Sequence, residues 1–363
     1  KIELFHAPGE TNDQLFVWLP DHKALLPGDN IYKTFPNLYT IRGTTHRDVI
    51  GWVNSIDHMK TFDAEFLFPS HTKPIIGKEE IKEILTIYRD AIQYIHDQTI
   101  RLMNEGLYPD QIAELIKLPE HIAKSPYLYE FYGTVRWSVK SIFNGYLGWF
   151  NGNPSELDPL SRKERAIRIS KLAGGDQMLL EQLYSAVKKE DMQWALELSD
   201  HLITLDYFVD EVKDLRKKAL IYEGSRSSNP NKRNYFLTSA LELNEDFESN
   251  ILIERTEELL EQISIDTLFN VLSVRFNPEL TNEELTACFD FSSGITKNID
   301  IRNDVAVVSD IKKEECDLYI KTDEIEFKKI LVGFESPVSS LASGKIEVIG
   351  GSTLFLKFLS MFR

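Results

Sequence analysis

The stretch Lys23-Ala24-Leu25-Leu26-Pro27-Gly28-Asp29-Asn30 decides how the N-terminal part of the chain folds. A short apolar run reads as a strand, Pro27-Gly28 stops it, and Asp29 follows at the strand's carboxyl end. The same grammar recurs on either side. Residues 2–5 read as a strand that leads into Ala7-Pro8-Gly9-Glu10-Thr11, and residues 64–68 read as another that leads into Pro69-Ser70-His71-Thr72. Residues 14–19 and 23–26 flank the Pro20-Asp21 turn as a hairpin. Val49, Trp52, Val53, Ile56 and Met59 recur at helical spacing, which places a helix between Asp29 and the last strand. This order of strand, polar turn, helix, strand and polar turn suits an α/β half-sandwich.

Glu10, Asp29 and His71 are therefore three metal-competent side chains, each directly after a strand. Two carboxylates and an imidazole suit zinc or another divalent cation, and a site between two metals needs a carboxylate able to bridge them. A lone Gly-Asp after a strand is more often a turn than a ligand. The weight lies on the recurrence.

The chain has 363 residues, enough for two to three domains, with 42% apolar and 11% aromatic side chains to fill their cores. Its 57 acidic and 41 basic side chains leave a net charge of -16, which repels phosphate backbones and argues against nucleic acid as a partner. No apolar run approaches the roughly 20 residues of a membrane span. Cys288 and Cys316 both sit in alternating apolar runs, where buried free thiols are the expectation over a disulfide. The compartment stays open, the cytoplasm being preferred to the periplasm or secretion.

From Lys78 the pattern turns helical. Ile81, Ile84, Leu85, Tyr88, Ile92, Ile95, Thr99 and Leu102 form one stripe, with Gly106 as a helix stop. Shorter helices are expected at 163–173, 176–189, 191–204, 208–222 and 232–244, with residues 224–232 as a loop. The Trp194, Ala195, Leu198 spacing and Ala219 suggest tetratricopeptide-like hairpins. Beyond Ile263, residues 286–291, 297–302, 305–309 and 317–322 alternate as strands of a one-side-buried antiparallel sheet, followed by helices at 323–331 and 352–362. No histidine occurs there, and Leu331, Phe334, Leu341, Phe355 and Phe358 suggest an apolar groove.

The string Asn144-Gly145-Tyr146-Leu147-Gly148-Trp149-Phe150-Asn151-Gly152-Asn153-Pro154 is improbable by chance. With Asp97-Gln98-Thr99-Ile100-Arg101-Leu102-Met103-Asn104-Glu105-Gly106, Tyr132-Gly133-Thr134-Val135-Arg136 and Asn37-Leu38-Tyr39-Thr40-Ile41-Arg42-Gly43, it resembles the alkyl sulfatase family of metallo-β-lactamase-type hydrolases over essentially the whole chain. The resemblance implies an α+β multidomain protein. Residues 1–76 would be the C-terminal half of a metallo-β-lactamase αββα sandwich, 77–245 an all-α dimerisation domain, and 246–363 an α+β domain like sterol carrier protein 2.

It further implies that Glu10 binds one zinc, Asp29 bridges two, and His71 binds the second. The family's upstream His-x-His-x-Asp-His cluster does not occur among these residues, so the chain is expected to be an N-terminally truncated fragment, silent alone, with the remaining zinc ligands outside it. Asn37 and Arg42 match sulfate-binding positions; a guanidinium holds two oxyanion oxygens at once. Trp137 stands where the family carries a sulfate-contacting His, and Trp149 where it carries a Tyr, so less positive charge faces the anion. Asp29 is shorter than the family's Glu, and the second His and the Trp common after His71 are missing. The implied activity is zinc-dependent cleavage of sulfate esters of apolar alcohols by metal-activated water, in a homodimer acting on a small amphiphile. The alternatives are another esterase or phosphodiesterase on the same metal pair, or a non-catalytic dimerising, lipid-binding module.

Overall fold

The computed structural model describes residues 1–244, 247, 257–281 and 283–362, and the chain divides into two compact units, Lys1–Glu248 and Ser249–Arg363. The first opens with strands β1 (Glu3–His6), β2 (Leu15–Leu19) and β3 (Ala24–Leu26), helix α1 (Val49–Met59), and strands β4 (Phe66–Leu67) and β5 (Ile75–Ile76). These strands form one sheet in sequence order, antiparallel throughout except for the parallel step from β3 to β4. A parallel neighbour needs a crossover, and α1 supplies it, capped by the Asp48 side chain on Gly51 N. Two reversals return β3 to the direction of β1, and the parallel step keeps β4 in that direction. The carboxyl ends of β1, β3 and β4 consequently share one edge of the sheet. Glu10, Asp29 and His71 follow from those ends.

Helix α2 (Lys78–Asn104) buries the whole predicted stripe inside this chain, and Gly106, at φ 83°, stops it with its N–H on Met103 O at 2.9 Å. Its apolar face joins the sheet and α1 in a single core that runs from Ala7 to Phe143, across position 76/77. Helices α3 (Pro109–Leu115), α4 (Glu120–Ala123) and α5 (Val135–Leu147) complete that core. A second core, from Leu179 to Ala240, lies among α6 (Arg162–Ala173), α7 (Asp176–Lys188), α8 (Met192–Thr204), α9 (Val209–Arg226) and α10 (Pro230–Glu242). The loop expected over 224–232 is corrected to residues 227–229. Asn229 accepts from Lys232 N and Pro230 occupies the first helical turn, so the Ser, Asn and Pro of this stretch start a helix. The expected boundary between residues 245 and 246 falls outside the described residues.

The second unit contains α11 (Glu257–Gln262), α12 (Ile265–Arg275), β6 (Leu285–Phe291), β7 (Thr296–Arg302), β8 (Val305–Ser309), β9 (Leu318–Thr322), α13 (Glu324–Val332), α14 (Pro337–Ala342), β10 (Ile346–Ile349) and α15 (Ser352–Ser360). The sheet order is β10-β9-β6-β7-β8, and β6 pairs with β9 in parallel, which corrects the all-antiparallel expectation. The segment after β8 crosses back to lay β9 beside β6. That crossover also overturns the free thiols: Cys288 on β6 and Cys316 just before β9 are bonded, with Cα atoms 6.0 Å apart. Phe355 and Phe358 are fully buried core, with Leu331, Leu341 and Leu359 packed against it.

Candidate active site

Three loops meet at the shared sheet edge, and one side chain ties two of them together. Asn30 is fully buried; its Nδ2 donates to Ala7 O at 2.7 Å, and its Oδ1 accepts from Glu10 N at 3.2 Å. Trp52 of α1 donates to Asn30 O at 3.0 Å, and Ser55 donates to Pro8 O at 2.7 Å, so α1 anchors both loops from behind. Gly9 allows this approach, because a Cβ there would lie 2.0 Å from Asn30 Oδ1. Gly28 takes φ 60° in the turn that delivers Asp29, a conformation that favours glycine. His71 rides the connection between the antiparallel strands β4 and β5.

Glu10, Asp29 and His71 all line one cavity of about 450 Å³, together with Tyr32, Lys33, Thr34, Thr72, Phe131 and Tyr132. His71 Nε2 stands 3.2 Å from Asp29 Oδ1 and 3.3 Å from Oδ2. Two ligand atoms of a tetrahedral cation bound at about 2.0–2.1 Å are roughly 3.3 Å apart, so this pair fits a common divalent cation. Glu10 does not join them. Its Oε1 lies 3.1 Å from a buried Arg47 guanidinium, and the same Arg47 nitrogen donates to Asn37 O. Among the described residues no three His, Cys, Asp or Glu side chains group as a metal-holding cluster. Burial pushes the Glu10 carboxyl above its ordinary value; Arg47 pulls it back, and Asp29 pushes it further up.

Behind the cavity the polar groups are incompletely paired. Tyr32 accepts from Asn37 N at 2.9 Å, and burial pushes its phenol well above the ordinary range. Both Asn37 amide atoms, Arg47 Nε, Thr72 Oγ1 and the Tyr88 hydroxyl are buried without a hydrogen-bond partner. Native interiors seldom leave such groups unpaired.

Arg42, Trp137 and Trp149 lie elsewhere. Arg42 is exposed in a separate cavity with Thr40, Ile41 and the α10 residues Asn231, Asn234 and Tyr235. Trp137 lines another with Ile41, Glu130, Gln193 and Lys232, and Trp149 is 74% exposed. Sequence reading missed Arg47, Tyr32 and Lys33. Arg47 had one signal, its place directly before the Asp48 cap, which fixes it at the mouth of α1 facing the β1–β2 loop.

Residues 108–246 match the family model for alkyl sulfatase dimerisation, and residues 254–363 match that for the alkyl sulfatase C-terminal region. A linear primary-alkylsulfatase of Pseudomonas sp. (strain ATCC 19151) is 35% identical over 375 residues, covering 100% of this chain and 71% of the relative. The chain belongs to the alkyl sulfatase family. An (R)-specific secondary-alkylsulfatase of a Pseudomonas species is 30% identical, over 75% of this chain and 41% of its own length. A solved variant of the sec-alkyl sulfatase PisA1 superposes with a TM-score of 0.89 at 25% identity, over 99% of this chain and 58% of that one. The chain thus spans between about two fifths and seven tenths of these alkyl sulfatases. The helical dimerisation region and the C-terminal sheet region are both present in it, and no described helix is long and apolar enough to cross a membrane.

Proposed function

We propose that this chain is part of a zinc-dependent hydrolase that cleaves sulfate esters of apolar alcohols. The observation that carries the reading is the Asp29–His71 pair, delivered from two loops of one sheet edge to a ligand-ligand separation in an aromatic-walled cavity. Asp29 and His71 would hold the cation, and further ligands are to come from residues outside these 363. Zinc, when bound, lowers the pKa of a coordinated water toward neutrality. Lys33, on the cavity wall, supplies positive charge for an anionic head, while Tyr132 and Phe131 exclude water from the ester. Glu10, held by Arg47, orders the β1–β2 loop against Asn30 and enters the zinc shell only if that ion pair opens.

Asn37 and Arg42, matched to sulfate-binding positions by motif, stand outside this cavity, and we assign head-group binding to Lys33. We further infer that β1–β5 with α1 is the later half of a metallo-β-lactamase-type sandwich and that α6–α10 are tetratricopeptide-like hairpins. The packing of each of these helices on its sequence neighbour supports the second reading, and the helix-backed five-stranded sheet supports a sterol-carrier-like C-terminal unit. A homodimer is supported by the dimerisation match and by exposed Trp149, Leu172 and Phe208 on the helical part.

The test is zinc analysis and dodecyl sulfate hydrolysis by the protein at the length of its relatives. His71→Ala and Asp29→Asn should each lose metal and at least two decades of activity. Arg42→Ala should stay within twofold and Lys33→Ala should raise KM. A parent protein that hydrolyses no sulfate ester with zinc supplied would refute the reading, leaving a non-catalytic dimerising module.

A further inference from the structure

Helix α6 concentrates positive charge in a chain that is strongly negative. Five cationic side chains and one carboxylate fall in residues 162–171, against a net charge of -16 for the whole. Helix α6 packs on α8, and a depression of about 380 Å³ on this pair is lined by Arg162, Arg165, Asp200, His201, Ile203 and Thr204. The polar groups there are unevenly used. Asp200, the one carboxylate on the wall, already pairs with Arg216 at 2.6 Å, and the Thr204 hydroxyl donates to Asp200 O at 2.6 Å. Among the described residues, the side chains of Arg162, Arg165 and His201 have neither a hydrogen bond nor an ion pair. Helix stability does not account for the two arginines, because both lie in the first turn of α6, whose partial positive charge opposes them. His201 has an ordinary reason to be basic, its place in the last turn of α8, but its ring still has an N–H to give.

We propose that this depression binds a tetrahedral oxyanion, a sulfate or phosphate group, between the Arg162 and Arg165 guanidiniums, with His201 donating a further contact. Residues three apart share one helix face, so both planar forks can close on one ion. The number of donors selects the class of ligand. Two forks used bidentately and one imidazole N–H make about five donors, more than the two oxygens of a carboxylate or the single centre of a halide can use well, whereas a tetrahedral oxyanion presents oxygens on every side. The volume exceeds that of one such ion, so the group is accommodated free or as the end of a larger molecule. Ile167, half exposed, and Leu172, 84% exposed, stand on the same helix and would meet acyl chains if that molecule were a lipid. The depression shares no lining residue with the Asp29–His71 cavity, and the inference does not rest on the sulfate-ester reading above.

The experiment is calorimetric titration of the chain with sodium sulfate and, separately, sodium phosphate, at an ionic strength held constant with sodium chloride. The expected result is saturable binding of one ion per chain, weakened at least about tenfold by Arg162→Gln or Arg165→Gln. Arg165→Lys keeps the charge and loses the fork, so it too should weaken binding, by a smaller factor. Arg168→Gln removes the same charge from the same helix outside the depression and should leave affinity within about twofold. Sedimentation with vesicles of phosphatidylcholine alone, and of phosphatidylcholine with an equal part of phosphatidic acid, identifies the source of the oxyanion. Pelleting that requires phosphatidic acid and is lost in Arg165→Gln makes it a lipid headgroup, and calorimetric binding without pelleting makes it the free ion. Absence of both overturns the site. So does equal weakening in Arg168→Gln and Arg165→Gln, or full affinity in Arg165→Lys, since either result leaves diffuse charge in place of a built pocket. Circular dichroism shows whether each variant is folded, and the two arginines are replaced separately so that one folded variant keeps the test alive.

Discussion

The two five-stranded sheets of this chain treat buried polarity in opposite ways. In the C-terminal unit two buried charges have water-accessible counterions: Lys297, almost fully buried on β7, pairs with Asp266 and Asp310, which are each about seven-tenths exposed. Glu326, also buried, accepts from Ser340 and pairs with Lys345. In the N-terminal sheet the Glu10–Arg47 pair is buried on both sides, and the unpaired buried side-chain atoms found among the described residues all fall on Asn37, Arg47, Thr72 and Tyr88. Satisfied polarity with exposed partners builds a scaffold. Polarity buried on both sides and left incompletely paired is maintained at a cost in stability, and two of its residues, Glu10 and Thr72, line the cavity that holds Asp29 and His71.

This contrast can be broken at its strongest point by Arg47→Met. The carboxyl of Glu10 is raised by burial, so the folded state holds that proton more tightly than the unfolded chain; the resulting stabilisation is full below about pH 4.3 and is lost as pH rises through the folded value. Removing Arg47 takes away the group that pulls this value down. Urea unfolding should show a loss of about 3–5 kcal/mol at neutral pH, shrinking as pH falls and the carboxyl protonates. A pH-independent loss would mean that packing, and not charge, was removed.

Next in size is the Cys288–Cys316 bond, which closes a separation of 28 residues. Loop-closure entropy assigns it about 3–4 kcal/mol, so a reduced or Cys316→Ser protein should show the C-terminal unit unfolding earlier while the first unit's transition stays in place. Asn229→Ala follows. It removes a helix cap on α10 and two bonds to Glu130 O and Tyr132 O, for about 2 kcal/mol in thermal or chemical melts. The smallest effect belongs to Lys297→Met. Its two partners relax into water, so the change should stay within about 1 kcal/mol, sharpening the contrast with Arg47→Met, where the orphaned partner cannot. A loss as large as that of Arg47→Met would erase the distinction between the sheets.

Much of the fold was legible because its signals are local. The α1 spacing, the α2 stripe with Gly106, and the alternation of β6 through β9 each report a periodicity that burial enforces within one element. The meeting of Glu10, Asp29 and His71 at one cavity was legible for the same reason, each lying in a turn directly after an apolar run. What escaped depends on which elements become neighbours. Nothing in residues 286–322 marks β9 as the parallel partner of β6, and missing that pairing also hid the disulfide. Arg47 escaped because its burial comes from the loop of Glu10, 37 positions away. Arg42 and Trp137 were named from motif alone, and motif fixes residue type and order while the packing of α10 decides which cavity each side chain lines.

The bond between Cys288 and Cys316 also changes how the chain would carry tension. Between the two sulfurs lie the end of β6, all of β7 and all of β8, so those strands sit inside a covalent ring that a pull on the chain's ends bypasses. Load would pass from β6 across the sulfurs to β9, leaving β7 and β8 slack whatever the rest of the sheet does. Once reduced, the same pull would release the 28-residue separation as new contour, about 90–100 Å at full extension, a length step that a single-molecule trace resolves directly.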